Sequence, residues 1–436
     1  MKKLIILAIA AALLSNLSAA PIKGIDDAAT VGVYIKDLRN GKIVAEHQSA
    51  AAMTPASVMK CLTTATAMKI LGPEYRFETP VYLVGTQRGS TLNGRVVIEA
   101  SGDPTVDSRY FADRVGFTDS IIALLSRNGI RQLRGDIVVD QTRFSDVGPS
   151  PRWEIGDVAW DYGAAFYGFN FADNLVTVDL STLETEPRLV KFDVKRGDKS
   201  GSFDLVRGVG STTLRVDGKI GKLKSVDTTV PDPLALFKVK MMSALRDAGV
   251  TYELLATAGG DTIDVYRHQS PSVAEISRSL MHRSDNMMAD AMLRAVSEKK
   301  SLAAAVATEL KLWDSLEVKL SPVKIHDGSG LVRVDAITPR ALGELLSAMA
   351  GDTAYVSAFP LVGFDGTVRN FLRDTPLEGK MALKSGSMTA VRCYAGYKLD
   401  GDGKPTHAVV IMVNHSFLKP AELRKCLQAY LLSIFD

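Results

Sequence analysis

The chain has 436 residues, 52 Lys and Arg against 49 Asp and Glu, and 46% hydrophobic residues, enough for two or three domains of about 150 residues each. A net charge of +3 over this length makes no basic face for nucleic acid, and the near-balanced signs, with no Pro- or Ser-rich tract, argue against disorder. Its three cysteines, Cys61, Cys393 and Cys426, cannot be a disulfide framework, and no His or Cys pair stands at ligand spacing, so metal, cofactor and thiol chemistry are not expected.

Residues 1–20 have the three parts of a secretory signal: Lys2-Lys3, an apolar run from Leu4 to Leu14, and Ser18-Ala19-Ala20. The run is too short to span a bilayer. Its removal leaves a balance of +1 over 416 residues, and the expected product is secreted, in the periplasm, with no transmembrane anchor. A hairpin follows, Val31 to Leu38 and Ile43 to His47 around Asn40-Gly41. A helix is predicted next from Ser57 to Leu71, with Thr54 as cap, Pro55 in its first turn and Gly72-Pro73 as its stop.

From Phe77 the texture becomes short strands and turns. Val81 to Val84, Val96 to Ala100, Gly135 to Asp140, Leu175 to Leu180 and Leu189 to Val194 read as strands, with helices at Thr118 to Arg127 and Leu234 to Ala248. Helical spacing returns at Val273 to Leu280, Asn286 to Glu298 and Pro339 to Ala350. The end is predicted as one or two strands over Lys380 to Leu399, a strand from His407 to Val413, and a helix whose Leu423, Leu427, Tyr430, Leu431 and Ile434 share a core face.

Three short patterns carry the chemistry: Ser57-Val-Met-Lys60, Ser284-Asp-Asn286 and Lys384-Ser-Gly386. None is specific alone. Ser-x-x-Lys recurs at Ser297, Ser321 and Ser416, and a more compact set could be made from Ser57, Ser126-Arg-Asn128 and Lys199-Ser-Gly201. Context favours the long set. Only Ser57 starts an apolar helix, where Lys60 shares its face and an unprotonated amine could take the serine proton, while the helix N-terminus steadies developing negative charge. Ser126 to Asn128 ends a helix before Gly129, and Lys199 to Gly201 lies in a polar turn. Lys384 and Gly386 point to one side of a strand edge, where a lysine attracts a carboxylate and glycine admits a substrate backbone.

The ordered set resembles the penicillin-recognising serine acyltransferases, and the long stretch between the first two motifs resembles the D-alanyl-D-alanine carboxypeptidase/endopeptidases of the penicillin-binding protein 4 type. Further matching stretches are Ser101-Gly-Asp-Pro-Thr105, Arg134 to Asp140, Asp327-Gly-Ser-Gly-Leu331, Thr338-Pro-Arg340 and Gly363-Phe-Asp-Gly-Thr-Val-Arg369. The resemblance implies that Ser57 attacks a terminal D-Ala-D-Ala or a D-amino-acid cross-link of peptidoglycan peptides, or a β-lactam inhibitor, and forms an acyl-enzyme that water releases. It implies Lys60 as base, Ser284 as proton relay, Asn286 on the substrate amide, Lys384 and Ser385 on the carboxylate, and backbone N–H groups of Ser57 and Ser387 as oxyanion hole. The base role requires a Lys60 amine well below the free value of about 10.4. By the same resemblance Asp157, Tyr162, Arg333 and Met388 line a pocket for the peptide's diamino-acid side chain. Ser385 stands where Thr is commoner in the family.

The expected fold is α/β (α+β), a transpeptidase/β-lactamase-like catalytic domain of residues 21–76 and 265–436 around a β-rich insert, 77–264, of one or two subdomains. Alternatives are a serine β-lactamase, which must release its acyl-enzyme quickly, and a noncatalytic wall protein. A Ser-His-Asp hydrolase lacks a Gly-x-Ser-x-Gly elbow, and the six histidines stand in no recognised motif.

Overall fold

A computed structural model describes residues 22–256 and 259–436, so the predicted signal lies outside the described residues. The chain divides into two compact units, the first the described part of Met1–Ile70 with Ser277–Ser284 and Val306–Asp436, the second Leu71–Ile276 with Asp285–Ala305.

The first unit is built on a five-stranded antiparallel sheet made from both ends of the chain. Its strands are β1 (Thr30–Asp37), β2 (Ile43–His47), β3 (Met381–Met388), β4 (Val391–Leu399) and β5 (Pro405–Asn414), in the order β3-β4-β5-β1-β2. The helices that matter below are α1 (Met59–Ile70), α2 (Val273–Arg283), α3 (Asn286–Ala295), α4 (Leu302–Ser315), α5 (Pro339–Met349) and α6 (Pro420–Phe435). Alternation along β1 explains how the sheet is covered. Val31, Val33 and Ile35 join a core with Leu423, Leu427 and Leu431 of α6, so the apolar face predicted for that helix is core. On the other side a Cβ at Gly32 would strike Pro339, and one at Gly343 would meet the Tyr34 ring at 2.2 Å, so α5 packs there. Thr338 caps α5 by accepting from Ala341 N.

The second unit has a five-stranded mixed sheet over Arg76–Arg88, Thr91–Glu99, Gln132–Asp140, Thr251–Leu254 and Thr262–Ser272, and two three-stranded sheets. Val81, Leu83, Val96 and Ile98 of the large sheet share a core with Phe117, Ile121 and Leu125 of the helix Phe117–Arg127 and with Phe237 and Met241 of Pro233–Asp247. Residues 265–272, assigned from sequence to the other lobe, continue the strand that pairs antiparallel with Arg76–Arg88, and 285–305 also belong to this unit. Leu189 to Phe192 is a turn closed by Phe192 N to Leu189 O, and strand begins only at Asp193. Helix α4, absent from the sequence reading, and strands Asp204–Val206, Thr213–Asp217 and Ser225–Thr229 are additional.

Candidate active site

Helix α1 is preceded by a single 3-10 turn, Ala56–Val58, so Ser57 sits just ahead of the first α-helical residue, Met59. Thr54 does not cap it. Its hydroxyl donates to Arg333 O at 3.1 Å, and its backbone is pinned to β5 by the Asn414 amide, which accepts from Thr54 N at 2.8 Å and donates to Thr54 O at 3.0 Å. Ala56 has φ +47°, a left-handed conformation costly for a residue with a Cβ, which the packing around it holds in place. A Cβ at Gly330 would lie 2.0 Å from Ala56 O, and one at Gly386 2.7 Å from Pro55 O and 3.1 Å from Ser57 N. Glycine at both positions is thus what lets a loop and a strand close on the serine turn.

Spacing of three residues puts Lys60 and Ser57 on one face, and Lys60 Nζ donates to Ser57 Oγ at 3.0 Å. Lys60 is fully buried and also donates to Ser329 O at 2.8 Å. That carbonyl is aimed by the Asp327-Gly-Ser-Gly turn, in which Asp327 accepts from the backbone N–H groups of Ser329, Gly330 and Val332. Thr63 of α1 donates to Gly328 O at 2.7 Å, so the turn is tied to the same helix as the lysine.

The second motif begins where α2 stops. Ser284 takes φ +62°, and Asp285 then caps α3 by accepting from Met288 N at 2.8 Å. The third motif lies on β3, which is an edge strand of its sheet. Residues Pro360 to Val362 bond to its first half, through Leu383 N to Pro360 O and Val362 N to Met381 O. Lys384 Nζ donates to Ser284 Oγ at 2.9 Å and to Ser385 O at 2.7 Å. Burial, and then the nearby Lys60 charge, hold the Lys384 amine well below the ordinary lysine range. Cys61 is also buried, and desolvation pushes its thiol up to about 12 despite the two lysines, so it is a protonated packing group rather than a nucleophile.

The first unit therefore holds two hydrogen-bonded groups, Lys60 with Ser57 and Lys384 with Ser284 and the Ser385 carbonyl, close enough for the Lys60 charge to act on Lys384, with Gly386, Ser387 and Met388 following on the strand. Arg333, half-buried, lies in the same unit and offers its carbonyl to Thr54. In the second unit Asn286, at the start of α3, donates to Tyr162 O at 2.7 Å, and the Tyr162 hydroxyl donates to Asp157 Oδ1 at 3.1 Å. Burial and the Asp157 charge raise the Tyr162 phenol, so it remains a donor. The rejected compact set is explained structurally: the Asn128 side chain bonds Leu124 O and Asp264 at a helix end, and Lys199 to Gly201 is a turn about Asp198. Among the described residues no His, Cys, Asp and Glu cluster could hold a metal ion.

Sequence reasoning missed the Ser329 carbonyl and the Thr367 hydroxyl, which lies 2.7 Å from Ser385 Oγ. A backbone acceptor leaves no side-chain signal. Thr367 was visible only as one letter of a longer string.

Comparison with known proteins finds relatives that match most of the chain. The chain is 23% identical to the D-alanyl-D-alanine carboxypeptidase DacB of Haemophilus influenzae, over 89% of this chain and 86% of the relative. It is 26% identical to a D-alanyl-D-alanine carboxypeptidase of an Actinomadura species, over 91% and 80%. The crystal structure of penicillin binding protein 4 from Haemophilus influenzae superposes with a TM-score of 0.80 at 20% identity, covering 97% of this chain and 99% of that one, so the two share a fold. A predatory peptidoglycan endopeptidase of Bdellovibrio bacteriovorus superposes at 0.54 and 14% identity, over 93% and 92%. The model of the D-Ala-D-Ala carboxypeptidase 3 (S13) family matches residues 14–432, nearly the whole sequence, and the chain belongs to that family.

Proposed function

We propose that the protein is a serine D-Ala-D-Ala carboxypeptidase and D,D-endopeptidase of peptidoglycan stem peptides and cross-links, working through an acyl-enzyme on Ser57 and inhibited by β-lactams. The observation that carries this is the Lys60 Nζ to Ser57 Oγ hydrogen bond of 3.0 Å at the start of a helix, a nucleophile and base already in contact. Lys60 accepts the Ser57 proton as Oγ attacks the carbonyl carbon. The resulting oxyanion is met by the backbone N–H groups of Ser57 and Ser387, fixed by rigid backbone rather than mobile side chains. Lys60 gives that proton up by way of the Ser284 hydroxyl, itself hydrogen-bonded to Lys384, to the nitrogen of the leaving amine as the C–N bond breaks, so Lys60 is neutral again for the next step. Lys384 and Ser385 bind the substrate carboxylate, and an extended peptide adds along the Ser385 to Met388 edge of β3. Water then releases the acyl group by the reverse use of the same base.

The two activities use one acylation step and differ only in what the acyl and leaving groups are attached to, so one site serves both. The resemblance of residues 1–20 to a secretory signal supports export to the periplasm, where such a substrate lies. No helix among the described residues is long and apolar enough to cross a membrane. Digestion of purified peptidoglycan, with separation of the products, tests the reading. Free D-alanine or uncross-linked peptides are expected from the parent and not from Ser57→Ala; a parent that releases neither contradicts the assignment.

A further inference from the structure

The stretch Gly363 to Arg369 has no part in the chemistry derived so far, yet its turn Gly366–Val368 touches the third motif and the helix end that leads into the second. Gly366 has φ +50°, and a Cβ there would fall 2.4 Å from the carbonyl oxygen of His282, two residues before Ser284. Only glycine lets the turn sit this close. The next residue, Thr367, places Oγ1 2.7 Å from Ser385 Oγ. Thr367 is exposed, whereas Ser385 is buried.

We propose that Thr367 is a positioning residue for carboxylate recognition: its hydroxyl holds that of Ser385 so that Ser385 donates to the substrate's C-terminal carboxylate. The inference rests on Lys384 and Ser385 being the carboxylate pair of the proposed reaction. Two hydroxyls 2.7 Å apart share one hydrogen bond, and without substrate either can be the donor. A carboxylate only accepts. When it arrives, Ser385 turns its O–H to the carboxylate, and Thr367 turns its own to Ser385 Oγ. The chain Thr367 O–H, Ser385 O–H, carboxylate is then fully paired, and each bond polarises the next. A threonine at 385 would have a stiff χ1 that aims its hydroxyl unaided, whereas an unbranched serine has three staggered positions to choose from. Thr367 supplies from outside the constraint that the missing methyl would have supplied.

The test uses two substrates, a D-Ala-D-Ala peptide with a free C-terminal carboxylate and the same peptide as its C-terminal amide. The parent is expected to prefer the acid. Thr367→Val should reduce that preference about tenfold, mainly through KM, as expected for one hydrogen bond serving a charged group. Thr367→Ser, which keeps the hydroxyl, should stay within about twofold of the parent, and thermal melting with penicillin labelling checks that each variant is folded; Thr367→Ala replaces the valine variant if that one is not. On a Ser385→Ala background Thr367→Val should add nothing, because its effect passes through Ser385. A Thr367→Val enzyme that keeps the full preference, or a further tenfold loss on the Ser385→Ala background, overturns the role of Thr367 alone. A parent that cleaves acid and amide equally well overturns the carboxylate reading of Lys384 and Ser385, and the role of Thr367 with it. Failure of the proposed hydrolase activity would show instead as a parent that cleaves neither.

Discussion

Lys384 meets two demands that pull against each other: it is fully buried beside Lys60, yet its proposed partner is an anion. Burial and the Lys60 charge both favour the neutral amine. An arriving carboxylate favours the ammonium, so substrate binding is coupled to proton uptake at this residue. The sign follows. Below the lowered pKa of Lys384 the ammonium is already present and binding is unaffected by pH; as pH rises through that value, each carboxylate bound must bring a proton, and KM climbs. Lys384→Gln should raise KM about 100-fold at neutral pH, of the order expected when a charged hydrogen-bond partner is lost, and should flatten its rise on the alkaline side. Measuring KM for a D-Ala-D-Ala peptide between about pH 6 and 10 checks both; a variant with the parent's alkaline slope would show that another group titrates. At this scale much was legible in the sequence. Ser57 and Lys60 could be paired because three residues along a helix make one face, and Lys384 could be separated from Lys199 because one lies in a strand pattern and the other in a turn. Backbone carbonyls such as Ser329 O could not be read, since any residue supplies one.

At the scale of elements, α4 is the instructive miss. Its buried positions Ala305, Glu309 and Trp313 run at helical spacing, but a carboxyl stands where the period calls for an apolar residue, and the stripe is broken in the sequence. Helix α1 resolves the conflict. Thr66 has one hydroxyl hydrogen, and its oxygen lies 2.9 Å from Leu62 O, 2.8 Å from Glu309 Oε1 and 2.8 Å from Trp313 Nε1. A protonated Glu309 donates to Thr66 Oγ1, Trp313 donates to the same oxygen, and Thr66 donates to Leu62 O, leaving no two groups competing for one proton. Burial raises the Glu309 carboxyl to about 7, as this arrangement needs. An acid whose pKa is raised on folding destabilises as pH rises. The loss begins near its unfolded value of about 4.3 and is complete above about 7, amounting to roughly 4 kcal/mol. Glu309→Gln, neutral at every pH, should match the parent at pH 4 and exceed it by about that amount at pH 8 in urea unfolding; equal stability at pH 8 would mean that Glu309 is ionised without cost. The strand Thr262–Ser272 was missed for a different reason: its partner, Arg76–Arg88, is nearly 190 residues earlier, and local pattern carries no record of such a pairing.

On the scale of the whole molecule, the length expected for two or three domains is divided between two units, most of the second lying between the first two motifs. We propose that the second unit is an insertion in one catalytic domain, since β1 and β2 from the start of the chain complete a sheet with β3 to β5 from its end. The strands at both ends were legible as short alternating segments and their union was implied by the family resemblance, whereas the positions at which the chain leaves and re-enters the sheet-bearing unit depend on tertiary contacts. The scarcity of cysteine also acquires a physical meaning. The three thiols are free, with Cys61 and Cys393 buried and each pushed up to about 12 by desolvation, and Cys426 half-buried on α6. At pH 8 a thiol reagent should therefore modify at most Cys426 in the native protein and all three in denaturant, with no effect of reductant on the melting temperature. Rapid native reaction of Cys61 would contradict its burial on the helix that follows Ser57.

Whether Ser57 is the nucleophile is tested by mass spectrometry of the penicillin-treated protein. One adduct of intact penicillin mass is expected, carried by the peptide that contains Ser57 and absent from Ser57→Ala. A Ser57→Ala protein that labels as well as the parent, or an adduct on any other residue, would contradict it.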